Sequence, residues 1–131
     1  MNPSGTWGQL LARYREYQHV SSPALNEEIL RTVRRPRLRR WLGGVVGQRR
    51  AIEIALEWIR RSDVVQPTAV PRVSRDIDDD HTFACALAGG ADYIVSEDED
   101  ILAVGEYHGS RTVRAAEFLR ILDRAKRSRR R

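Results

Sequence analysis

Apolar residues in this chain alternate between helical and strand spacing. Trp7, Leu10, Leu11 and Tyr14 recur at helical intervals and predict a helix over Trp7–Tyr17, after a loop start that holds Pro3 and Gly5. Tyr17–Ser21 reads as a short strand. Ser22-Pro23 then offers an N-cap followed by proline at the first helical position. Leu25, Ile29 and Val33 give that second helix its apolar face, and Pro36 stops it near Arg35. Leu38, Trp41 and Leu42 mark a short basic helix closed by Gly43-Gly44. Gln48–Arg61 is a clear amphipathic helix, with Ile52, Ala55, Leu56 and Ile59 on one face.

The second half follows the same alternation. Asp63–Gln66 reads as a short buried strand closed by Pro67. A loop leads to a helix over Asp80–Ala88, which Gly89-Gly90 ends. Tyr93–Ser96 is a continuous apolar run of the kind found in parallel sheets covered on both faces. Asp98–Ala103 predicts a helical turn, Thr112-Val113 a last strand and Ala115–Leu122 a last helix. Helices alternating with short strands predict an α/β fold with a parallel sheet. The domain covers 1–122, and 123–131 is expected as a basic, mobile tail.

Charge changes the picture. Residues 1–75 carry a net +8, residues 76–110 a net −10 with no Lys or Arg, and residues 111–131 a net +7. An acidic island inside a basic chain suits a protein that holds a cation and acts on polyanions. The island has two clusters: Asp76, Asp78, Asp79 and Asp80 before a helix, and Glu97–Asp100 after a strand. Converging carboxylates repel unless a cation lies between them, and a hard divalent ion fits an all-oxygen set. Ligands of open α/β sheets bind beyond the carboxyl ends of strands, where Asp98 falls.

Helical angles, at about 100° per residue, select among these acids. Asp80 shares the core-facing side with Phe83, Ala84 and Leu87, whereas Asp78 and Asp79 point elsewhere. Glu28 borders the apolar face of its helix, and Glu27 lies on the far side. The same aspartates also suit ordinary capping of a helix start. The chain has no Walker loop, no GxGxxG, no Cys/His zinc spacing and no nucleophile elbow. Its single cysteine, Cys85, excludes an internal disulfide and fits a reducing, cytoplasmic setting. No apolar run approaches the length of a membrane span, and no signal peptide is evident.

Four features together resemble the PIN-domain (PilT N-terminus) family, in its toxin–antitoxin branch: SSPALNEEILRTVRRPRLRRWL, DIDDDHTFACALAGGADYIVSEDEDIL, the spacing between them, and the ending VRAAEFL. The resemblance implies a three-layer α/β/α sandwich and metal-dependent cleavage of RNA with Mg²⁺ or Mn²⁺. It places Glu28, Asp80 and Asp98 as catalytic and metal-holding acids, with Asp100 as a further ligand. Ser96 stands as support, in place of the family's usual Thr. An RNA substrate, a cognate antitoxin and a homodimer are the implied partners. The family begins with an apolar strand ending in an Asp-Thr-Asn-like triplet, and the sequence here starts after that point, so the first strand and its Asp are expected to be missing. The alternative is a truncated, inactive PIN-like domain that binds an antitoxin or RNA without cleavage. A third reading is a basic scaffold with an incidental acidic loop.

Overall fold

Alternation along one short strand sets the layering. Ile94 is buried in a cluster with Phe83, Ala86 and Ile101. Its neighbours Tyr93 and Val95 pack instead on a second cluster formed by Leu10, Val113, Phe118, Leu119 and Leu122. A strand with period two thus carries apolar residues on both faces and is covered by helices on both. The result is an α/β/α arrangement.

The computed structural model describes residues 3–35 and 48–129. The chain runs α1 (Pro3–Ala12), a 3₁₀ turn (Tyr14–Glu16), β1 (Val20–Ser21), α2 (Pro23–Thr32), α3 (Gln48–Arg61), β2 (Asp63–Val64), α4 (Ile77–Gly89), β3 (Tyr93–Val95), α5 (Glu99–Leu102), β4 (Glu106–Tyr107), β5 (Ser110–Val113) and α6 (Ala115–Arg129). The short basic helix expected around Leu38–Leu42 lies outside the described residues.

Strand pairing follows the parallel expectation with two departures. β1 pairs parallel with β2, and β3 pairs parallel with β5, but the two pairs belong to separate sheets. β4 adds to β5 as an antiparallel hairpin. Its two-residue turn holds His108 at φ 48° and Gly109 at φ 90°, the left-handed pair that matches strand twist. The sequence pattern places no strand between Ser96 and Thr112, because a histidine in the left-handed region is not a turn signature. β2 is also not the buried strand expected. Asp63 and Val64 are both exposed, since β2 pairs on one side with β1 alone and forms an edge of its sheet.

The strands share a direction that can be read from α4. Val20, at the start of β1, presses against Gly89 at the end of α4. The Ser22 hydroxyl, just past β1, meets the Cys85 thiol one turn earlier in α4. β1 therefore runs antiparallel to α4, as β3 does after the reversal at Gly90. Below β1, His19 stacks on Trp58 at 3.7 Å and shares a 2.5 Å hydrogen bond between Nδ1 and the Ser62 hydroxyl. Burial pushes its pKa down to about 4, so it stays neutral near pH 7.

α4 and α6 are both longer than their apolar stripes. α4 starts at Ile77, three residues before the expected Asp80. Asp76 is its N-cap, and the Asp76 side chain accepts the Asp78 amide at 2.9 Å. α6 continues past Leu122 to Arg129, so residues 123–129 extend the helix. Straight-chain Lys and Arg and Ala125 favour helix there, and cations suit a helix C-terminus. Asp123 also ties this stretch to Arg13 at 2.9 Å.

Gly90 closes α4 in the left-handed conformation at φ 61°, and the Ala91 amide returns to the Ala86 carbonyl at 3.0 Å. A Cβ at Gly90 would meet no neighbour within 4 Å. Replacement there is therefore penalised by backbone conformation alone. Gly90→Ala is expected to lose about 1 kcal/mol, and Gly90→Asn less. Urea unfolding with an unchanged slope and a lower midpoint checks this; equal midpoints for all three chains would contradict it.

Candidate metal centre

The first turn of α4 sorts its aspartates by what each carboxylate already holds. Asp76 caps the helix. Asp80 is buried, at 1% exposure, and its Oδ1 accepts two loop amides, Val73 N–H at 2.8 Å and Ser74 N–H at 2.7 Å. These hydrogen bonds hold the Asp80 carboxyl below its ordinary range, with Arg72 and His81 adding to the effect. Asp80 is thus an anchor for the loop before α4. The angular argument finds its core-facing direction, but two backbone donors of residues 73–74 occupy it there.

Asp79 takes the position expected of Asp80. One residue back along the helix, it turns by about 100° toward the loop after β3. Asp79, Asp98 and Asp100 each offer a carboxylate oxygen, and these oxygens lie within 4.8 Å of one another. It is the one such group of three among the described residues. Asp79 is buried, while Asp98 and Asp100 are exposed. Ser74 donates its hydroxyl to Asp79 Oδ2 at 3.2 Å.

The second half of the group is shaped by short local bonds. The Ser96 amide ends β3 on the Val113 carbonyl, and the Ser96 hydroxyl accepts the Asp98 amide at 3.0 Å. Asp98 then caps α5 by accepting the Asp100 amide at 2.8 Å. Glu97 and Glu99, in the same acidic run, are drawn away. Glu97 accepts the Ala115 amide at the start of α6 and pairs with Arg114, and Arg114 also pairs with Glu99. Alternate acids therefore face opposite ways, and Asp98 and Asp100 remain on the side of Asp79.

Electrostatics shows what the group lacks. Burial raises the Asp79 carboxyl above its ordinary range, and the charges of Asp98, Asp76 and Asp100 raise it further against the opposing Ser74 hydrogen bond. Arg75 approaches Asp100 at 3.7 Å, but its side chain is 93% exposed, so it offsets little. Three convergent carboxylates with hard oxygen donors fit a divalent cation such as Mg²⁺ or Mn²⁺.

Glu28 reaches the same end of α4 without joining the group. It lines a cleft of about 200 Å³ between the starts of α2 and α4, together with Ala24, Leu25, Glu27, Arg31, Asp78 and His81. Its carboxylate is held by Arg31 at 2.9 Å. Of the residues read from sequence, the structure brings together Asp98 and Asp100, with Ser96 beneath them, and leaves Glu28 and Asp80 outside. Asp79 was missed. An earlier helix start, signalled by Asp76 as a capping residue before Ile77, would have pointed to it.

The PIN domain model matches residues 9–100, so this chain belongs to the PIN domain family. Comparisons with curated proteins and with solved structures returned no match. Among the described residues, no helix is long and apolar enough to cross a membrane.

The opposite pKa shifts of Asp79 and Asp80 make a paired test. The folded state raises Asp79, so its ionised form opposes folding at neutral pH. It lowers Asp80, so its ionised form supports folding there. In EDTA at pH 7, Asp79→Asn is expected to melt above the wild type and Asp80→Asn below it. Both differences should shrink as pH falls through the carboxylate range: the first through the raised Asp79 pKa, the second through the lowered Asp80 pKa. Thermal melts followed by circular dichroism at pH 7 and in acid decide the point, and like-signed shifts for the two variants would contradict it.

Proposed function

We propose that the chain is a divalent-metal-dependent ribonuclease, the toxin of a toxin–antitoxin pair, with Asp79, Asp98 and Asp100 holding Mg²⁺ or Mn²⁺. The observation that carries this reading is the convergence of those three carboxylates at the carboxyl end of β3, in a chain of the PIN family. When bound there, the ion supplies Lewis acidity: it lowers the pKa of a water and offsets phosphate charge. The protein's own part is positioning. Ser74 orients Asp79, and Ser96 together with the α5 cap orients Asp98 and Asp100. No side-chain nucleophile is required.

One observation favours a second reading. Glu28 is paired with Arg31, and two of the three clustered acids are exposed. A site of that kind would also suit a PIN-like domain that binds RNA or an antitoxin without cutting. Excess Mn²⁺ separates the two readings, because the binding domain stays inert in it.

Mn²⁺ at 100 times its dissociation constant is expected to stabilise the wild type by about 2.7 kcal/mol. Asp79→Asn and Asp98→Asn should lose most of that gain, and with it metal-dependent cleavage of single-stranded RNA. Asp80→Asn, corrected for its lower stability, should keep both. Cleavage undiminished in Asp98→Asn would reject the assignment.

A further inference from the structure

The carboxylates occupy one end of the domain, and a set of cations occupies the other. The 3₁₀ turn Tyr14–Glu16 lies before β1, and Arg60 and Arg61 end α3 immediately before the parallel strand β2. Arg61 sits over the Tyr14 ring at 4.9 Å, and Arg15 approaches the same ring at 5.6 Å. The Arg61 carbonyl accepts from Gln18 at 3.1 Å, which fixes the end of α3 beside the turn. α6 brings in the third group. Its first residue, Ala115, is bonded to Glu97 near the carboxylate site. Fourteen residues on, at 1.5 Å per residue, its last turn lies about 20 Å away. There, after the dominant hydrogen bond from Arg13, the charges of Lys126 and Arg129 help hold the Glu16 carboxyl low. Turn, α3 and α6 thus meet at the amino ends of the strands, away from Asp98.

The cations on this face exceed their local partners. Glu57 is shared by Arg60 and Arg61, and Glu16 is taken by Arg13. Among the described residues, Arg15, Lys126 and Arg129 form no ion pair, and all three are exposed. Lys126 and Arg129 share the last turns of α6, and the fold brings Arg15 to them from the 3₁₀ turn. Guanidinium groups around an aromatic ring offer a single strand both donors for its phosphates and a face for its bases to stack on.

We propose that this face, built on Tyr14, Arg15, Arg60, Arg61, Lys126 and Arg129, is a docking surface for the phosphate backbone of single-stranded RNA, remote from the carboxylate site. It deepens the function proposed above and rests on its choice of a nucleic acid. RNA held here and cut at Asp98 must span the length of α6. Contacts of this kind position the strand without reading its sequence.

The test reads binding alone, so a failure of cleavage and a failure of docking are told apart. The full chain is titrated, in EDTA, into a fluorescein-labelled single-stranded RNA of about 16 nucleotides, and anisotropy is followed across salt concentrations. The variant Arg15→Ala/Lys126→Ala/Arg129→Ala is expected to bind about 10- to 100-fold more weakly near 0.1 M salt, with the slope of log affinity against log salt reduced by about 2. Circular dichroism should show its helices intact. A control carrying Arg34→Ala/Arg49→Ala/Arg50→Ala, three exposed arginines outside the face, should bind nearly as the wild type does. Equal loss in both variants would reduce the effect to net charge and overturn the proposal. Full RNA affinity in the first variant, with lost binding to polyglutamate, would assign the face to an acidic protein and overturn it as well.

Discussion

The Asp80 carboxylate, closed over the Val73 and Ser74 amides, is the constraint from which the site follows. Two charge-assisted hydrogen bonds at 2.8 and 2.7 Å leave that oxygen no capacity for another ligand. They also pin the preceding loop across the first turn of α4. With Asp80 fixed inward, helical geometry turns Asp79 toward the end of β3. Ser74 then serves twice: its amide holds Asp80 and its hydroxyl holds Asp79. One loop residue sets the division of labour between neighbouring aspartates.

The acidic island is mostly employed in holding the chain. Asp76 caps α4, Asp98 caps α5, and Glu97 satisfies an amide at the start of α6. Each removes an orphan donor that a helix start leaves open. Arg114 compensates Glu97 and Glu99 together, although the sequence around residues 76–110 contains no cation. Among the described residues, only Asp100 of the three clustered acids meets a cation, the exposed Arg75 at 3.7 Å, while Asp79 and Asp98 are held by hydrogen bonds alone. Structural capping and convergence of charge are therefore produced by the same short turns. The remaining repulsion is concentrated at a strand end, where α/β sheets place their ligands.

Charge is also sorted along the length of the domain. α6 starts beside Glu97 and ends beside Glu16 with Lys126 and Arg129. Its basic last turn suits the negative end of the helix dipole, so the arrangement favours the helix itself. Arg75 and Arg114 stay beside the acids, while Lys126 and Arg129 are carried by α6 to the far end of the described domain. A polyanion meeting such a body is oriented by the field before any contact forms.

The alternation of helical and strand periods, the Ser22-Pro23 start of α2, the full extent of α3 and the apolar run of β3 were legible in the residues, because each depends on spacing within one element. The acidic island and the place of Asp98 and Asp100 were legible too, since both follow directly from β3. The choice between Asp79 and Asp80 was not. It depends on amides at residues 73–74, which no pattern within the helix records. The exposure of β2, the split of the strands into two sheets and the extension of α6 to Arg129 were likewise decided by neighbours distant in sequence or by turns without a strong signature, whereas the pairing of Glu28 with Arg31 is local, three residues along α2. Local periodicity determines which residues face inward; only the packed chain determines which of the neighbouring carboxylates turns toward Asp98 and Asp100.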